Sequence, residues 1–493
     1  MILVLVHGWG VTGTHTYGGL AARLQADSLA GRIPASTLHH VYLGKYVSFS
    51  DEVRLQDLSR AFEAAVQREL AGYIRRGERL AVIAHSTGGP LIRDWWYRYY
   101  RSQGRPCPMS HLIMLAPANF GSALAQLGKS RVMQLKSSLL DGVEPGVGVL
   151  DWLELGSGES WALNREWVCD AADPVTAADP VYQFVLTGQS IDRKLYDHAN
   201  SYTGELGSDG VVRAAAANLN AHYVKLVQAD SGARARRADS SLSLEIDTMA
   251  SAPATAFALL RGRAHSGERK GILRSIGNDS RRHPTHRAIQ RCLGVGSARQ
   301  YQRLREAFTR ENATLRAAER FETSGRVVRH EYIHDAHCLV LARVRDEAGY
   351  VPESYDFKFT GHADGPDHLP AGMIVDRQRN RRDHGTLSWY LNADVALGTG
   401  RVSDRQGRTV RRPLPGLRAL GLQLLPRPRE RFVGHLRAHL AASAAHLATL
   451  VRRDETVLLD IELKRVVRRG TFELTSNQTP ASFKRQRPGN PVA

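Results

Sequence analysis

Leu80-Ala81-Val82-Ile83-Ala84-His85-Ser86-Thr87-Gly88-Gly89 packs an apolar run, a polar turn and a glycine pair into ten residues. The run has the length and composition of a buried strand, and Pro90–Tyr100 behind it has the spacing of a helix. A serine between the two sits on a tight strand–turn–helix, where its hydroxyl is held exposed and the following helix N-terminus faces any developing negative charge. Such a turn demands small flanks. Ala84 and Gly88, two residues to either side of Ser86, supply them. The string itself is common, and a plain turn with a capping serine is the competing reading. The strand before it and the helix after it give the motif its weight.

Working outward, Ile2–Val6, Leu112–Ala116 and Val181–Thr187 are further apolar strand patterns, and Leu55–Ile74 has helical spacing at Leu58, Phe62, Ala65 and Leu70. Strands alternating with helices imply an α/β fold with a mostly parallel sheet covered on both faces. Residues 122–178 interrupt the rhythm as a long insertion carrying Trp152, Trp161 and Trp167, with weak helical periodicity around Val147–Leu155. Residues 229–253 lack an apolar pattern and read as a flexible loop. A strand at Thr255–Leu260 and a helix at His286–Leu293 then close a first domain, 1–295, followed by a helical connector at 296–324. Cys338–Val344, Tyr355–Phe359, Thr386–Leu391 and Glu455–Val467 carry strand patterns, with Arg431–Val451 read as a helix among them. Residues 325–475 are therefore expected to form a β-rich domain of the sandwich type, and 476–493 a disordered basic tail.

The 493 residues carry 67 Lys+Arg against 49 Asp+Glu, a net charge of +18, and residues 401–493 alone hold 19 against 7. This surplus predicts attraction to an anionic surface, with a merely solvated face as the equal alternative. From residue 401 onward the aromatics are Phe432, Phe472 and Phe483, too few to stack bases, so nucleic acid is not the expected partner. Four scattered cysteines without a CxxC pair exclude a disulfide scaffold and a cysteine zinc module. No apolar run reaches the ~18 residues of a spanning helix. Met1–Gly8 reads as a core strand and turn rather than a signal peptide, so synthesis in the cytoplasm is expected, with any export by a signal-independent route.

On the Ser86 motif, over about residues 1–295, the sequence resembles the α/β-hydrolase superfamily and, within it, bacterial lipases and phospholipases. His7-Gly8-Trp9-Gly10 matches the turn that lends that family a backbone N–H for the oxyanion hole, implying Trp9 and Thr87 as the two donors. The family's order of nucleophile, acid and base implies Ser86, then an aspartate, then a histidine. Ser208-Asp209-Gly210-Val211-Val212 resembles the segment bearing the acid, with Asp230 as the substitute. His265, in Arg263-Ala264-His265-Ser266-Gly267 after the last core strand, fits the base. His222 lies at the wrong end of a strand, and His283 and His286 fit a polar helix start. The chain departs from the family in Ala84, where glycine is usual, and in beginning where the family has already completed two strands.

The resemblance implies a cofactor-independent serine hydrolase acting on carboxylic esters, with 122–178 as a lid whose exposed aromatics meet a phospholipid surface. A hydrolase joined to a β-rich partner also resembles the lipase effectors delivered by type VI secretion, which implies a delivery apparatus and an immunity protein as partners. An acyltransferase using the same acyl-enzyme, and a non-catalytic binding protein on this scaffold, are the alternatives. A metal set at His330, His334 and His337 requires a helix where a strand is expected, and Asp356, Asp364, Asp367 and Asp376 lack EF-hand spacing. No metal is expected.

Overall fold

The computed structural model describes residues 1–7, 17–41, 51–127, 146–170, 172–191, 205–229, 241–277, 282–318, 321–324, 330–361, 368–404, 406–427 and 433–467. Six strands, largely apolar except β2, form its first sheet: β1 (Ile2–Val6), β2 (Thr37–Val41), β3 (Leu80–His85), β4 (Met109–Leu115), β5 (Tyr182–Thr187) and, after an excursion, β8 (Ala256–Leu259). The order is β2-β1-β3-β4-β5-β8 and every pairing is parallel. Each residue of β1, β3, β4, β5 and β8 is buried, as a parallel sheet covered on both faces requires. The Leu55–Ala65 helix continues through a π-helical turn, Val66–Leu70, to Arg75. The connector helix, Ala298–Ala318, bonds along β8, one of the two edges of this sheet. Asn312 donates to the Phe257 carbonyl and accepts from the Leu259 amide, and Tyr301 accepts from Ala256. An edge strand left bare would invite pairing with another chain.

The excursion is a correction to the expected domain boundary. β6 (Ala221–Gln228) and β7 (Ser241–Ser251), which fall inside residues 1–295, pair with each other and join a second sheet. The segment expected as a flexible loop thus contains a strand, with residues 230–240 outside the described ones. The remaining members are β9 (His337–Asp346), β10 (Ser354–Thr360), β11 (Ile374–Arg379), β12 (Thr386–Asn392), β13 (Leu420–Arg427), β14 (Arg437–Ser443) and β15 (Thr456–Leu463). They run in the order β10-β13-β14-β7-β6-β15-β9-β12-β11. Rings from opposite ends of that order meet: Phe357 and Phe359 on β10 lie 5.5 and 5.2 Å from Trp389 on β12. The sheet therefore folds over onto itself around one apolar core, as a sandwich does. Arg431–Val451, expected as a helix, contains strand β14 and a helix only at Ala444–Leu450. Ala438 and Leu440 alternate inward on β14, a period of two.

The two sheets share packing. Tyr223, Leu339, Leu341 and Leu458 of the second sheet belong to the core that also holds Val82, Trp95 and Trp161. Trp152, Trp161 and Trp167 are only 3%, 2% and 7% exposed, so the insertion's aromatics build this shared core instead of facing lipid. Its described helices, Val147–Leu153 and Gly158–Cys169, carry them. Residues 128–145 and 171 of the insertion, and the tail 476–493, lie outside the described residues. No helix among the described residues is long and apolar enough to cross a membrane.

Candidate active site

β3 ends at His85, and Ser86 takes φ +56°, a left-handed conformation rare for a residue with a side chain. The helix Gly88–Tyr99 begins two residues later. Close approach makes the glycines necessary: a Cβ on Gly89 would lie 2.6 Å from the Pro117 Cβ. The Ser86 amide donates to the Leu115 carbonyl at 2.9 Å, which fastens the elbow to β4. Strain of this kind persists only where surrounding packing over-determines it, and it clusters at functional sites.

Asp209 is fully buried on the loop that precedes β6. Its Oδ1 accepts from the Val211 and Val212 amides at 3.0 and 2.8 Å. Its Oδ2 is 3.0 Å from His265 Nδ1, and His265 Nε2 is 3.0 Å from Ser86 Oγ. A carboxylate with its charge held by two amides can only accept, so Nδ1 carries the imidazole proton. Nε2 is left as the acceptor for the Ser86 hydroxyl, the tautomer a general base needs. The His265 amide also donates to the Asp209 carbonyl at 2.9 Å, so the two residues are joined through both backbone and side chain. His85 lies with its ring 5.0 Å from that of His265, and burial pushes it down to about 3, with the neighbouring His265 charge adding to the shift. It is a neutral wall beside the His265 ring.

The structure thus brings Ser86, Asp209 and His265 together. Thr87 is buried beside them at the turn. Trp9 and Asp230 lie outside the described residues. The other histidines are elsewhere: His222 bonds Ser251 and Glu455 within the second sheet, His283 bonds Ser275, and His286 bonds Asp27. His330 and His337 lie on two strands, with His334 between them, so no helix aligns the three rings. Asp356 is taken up by Arg427 and Asp376 by Arg213, while Asp364 and Asp367 are outside the described residues. Among the described residues no group of three or more His, Cys, Asp or Glu side chains is placed to hold a metal ion.

Sequence reasoning missed the residues around Asp209. Glu205 and Arg213 stand four residues before and after Asp209 and close its loop with a bidentate ion pair. An opposite-charge pair straddling a candidate acid was the available signal.

No protein-family model matches the sequence, and no curated protein matches it. Solved structures do. Phospholipase PlaB from Legionella pneumophila superposes with a TM-score of 0.84 at 39% identity, covering 98% of this chain and 97% of that one. The same enzyme in complex with thio-NAD gives 0.85 at 38%, covering 100% and 98%. With that identity sustained over nearly the whole of both chains, and with the six-stranded parallel α/β sheet, this protein belongs to the PlaB family of bacterial α/β-hydrolase phospholipases.

Proposed function

We propose that this protein is a serine hydrolase that releases fatty acid from phospholipid at an anionic membrane surface. The observation that carries the reading is the unbroken relay from Ser86 Oγ through His265 to Asp209, on a fold shared along its length with a phospholipase. Ser86 Oγ attacks the acyl carbon while His265 Nε2 takes its proton. Asp209 keeps Nδ1 protonated and stabilises the imidazolium that forms. The Thr87 amide at the helix start, with Trp9 as its partner, supports the oxyanion. His265 then returns the proton to the departing lysophospholipid oxygen. Water, activated by the same imidazole, breaks the acyl-enzyme and restores Ser86.

The net charge of +18 favours substrate presented on anionic lipid, through a long-range attraction that salt weakens. The test joins chemistry to residue. A fluorophosphonate probe should modify Ser86 alone, and the labelled protein should cease to release fatty acid from phosphatidylglycerol vesicles. Modification at another residue, or undiminished release after complete labelling of Ser86, overturns the reading.

A further inference from the structure

Asp209 projects from the apex of a loop whose two feet are gripped by the second sheet. Across the feet, Arg213 Nε and Nη2 each donate to one Glu205 carboxylate oxygen at 2.8 Å. Arg213 is only 1% exposed, so this cation must find its partners inside the protein. One of them comes from β11: Asp376 Oδ2 accepts a second bond from Nη2 at 2.5 Å. The Tyr390 ring on β12 lies 4.1 Å from the guanidinium carbon, a cation–π contact at a buried site. The Tyr390 hydroxyl donates to the Leu206 carbonyl at 3.0 Å, one residue along the first foot. Gly207 has φ +75°, and a Cβ there would stand 2.4 Å from that hydroxyl and 2.5 Å from His337 Nδ1 on β9. The chain beyond the second foot is held likewise, by Thr456 on β15 donating to the Ala215 carbonyl. The catalytic side contributes a bond from Ser122 to the Val211 carbonyl.

We infer that Arg213 is a positioning residue for Asp209, and that the second sheet, through Asp376 and Tyr390, sets where the acid of the relay stands. The inference rests on the hydrolase reading above and gives the β-rich half a part in the chemistry. Neither Asp376 nor Tyr390 touches Ser86 or His265 in any bond or ring contact of the site just described. Their effect passes through the loop. A displaced acid orients the imidazole poorly and stabilises the imidazolium less, so it lowers kcat while leaving substrate binding alone.

The experiment uses the full chain and a soluble p-nitrophenyl ester, so that membrane binding does not enter. Asp376→Asn, folded by circular dichroism, should lower kcat about 10- to 100-fold with KM within about two-fold. Tyr390→Phe keeps the ring under Arg213 and loses only the hydroxyl, so it should cost about 3- to 10-fold in kcat and serves if Asp376→Asn fails to fold. In an Asp209→Asn background either variant should change kcat less than about two-fold, because the acid it positions is gone. General structural damage would instead lower both backgrounds alike, and that result overturns the inference. So does wild-type kcat in both folded variants. Hydrolysis that survives Ser86→Ala overturns the relay itself, whereas hydrolysis that Ser86→Ala abolishes and the two variants spare overturns the mount alone.

Discussion

Ser86 and Asp209 sit at opposite ends of one hydrogen-bonded relay and are mounted in opposite ways. Ser86 is held by neighbours in sequence: β3 before it, the helix Gly88–Tyr99 after it, and β4 beside it. Asp209 is held by residues from across the chain: Glu205 and Arg213 at its loop's feet, then Asp376, Tyr390 and Thr456 from the other sheet. A strained elbow can be written in ten contiguous residues because packing against one sheet suffices. A buried carboxylate on a loop needs a wall, and here the second sheet supplies it.

The largest effect tests the local mount. Ser86→Ala removes one oxygen from a turn that already bears its strain, so folding should persist while kcat for a soluble ester falls by about 10⁶-fold. Asp209→Asn should fall by about 10⁴-fold, because the amide leaves the imidazole in the wrong tautomer. A smaller loss for Asp209 than for Ser86, measured on the same ester, is what the comparison requires. Equal losses would mean the long-range mount matters as much as the nucleophile.

Packing in the second sheet comes next. Trp389→Ala deletes the ring that joins β12 to Phe357 and Phe359 on β10, and should cost about 3–5 kcal/mol in urea unfolding. If activity outlasts that loss at low urea, the sandwich core and the Asp209 mount are separable. If activity and the sandwich signal disappear together, they are one cooperative unit.

Acid sharpens the comparison least. Each sheet holds a deeply buried histidine away from Ser86, His111 on β4 and His337 on β9, and burial pushes each down to about 4. The unfolded chain takes up those protons near 6.5, before the folded one does. Stability is therefore complete above about pH 6.5 and is lost as pH falls toward 4, by on the order of 3 kcal/mol at most for each group. Urea midpoints measured from pH 7 to 4.5 should decline, and His111→Gln should flatten the decline. A pH-independent midpoint would contradict the burial account.

The legible part of the molecule was the part made by continuous local pattern. β1, β3, β4 and β5 are apolar at almost every position, and the elbow's small flanks lie between two of the strongest patterns in the chain. Asp209 and His265 followed from resemblance, and hydrogen bonds join them to Ser86 in one line. The β6–β7 pair was hidden because β7 alternates only as far as Leu244, and its later residues are largely exposed. Arg431–Val451 misled because alternating Ala438 and Leu440 run directly into helically spaced Leu447 and Leu450. The tryptophans of the insertion were expected to meet lipid, since a sequence states their size and not what they pack against. Asp376 and Tyr390 were invisible for the same reason: their bonds to the Asp209 loop reach across 163 and 184 positions, which no local spacing encodes.

The most direct test of the relay is non-additivity. Fatty acid release from phosphatidylglycerol vesicles should be measured for Ser86→Ala, His265→Ala and the double variant. Two residues acting as one unit predict three rates within about ten-fold of one another, all close to background. Losses that multiply in the double variant, or a His265→Ala protein that keeps most of its activity, would contradict the relay.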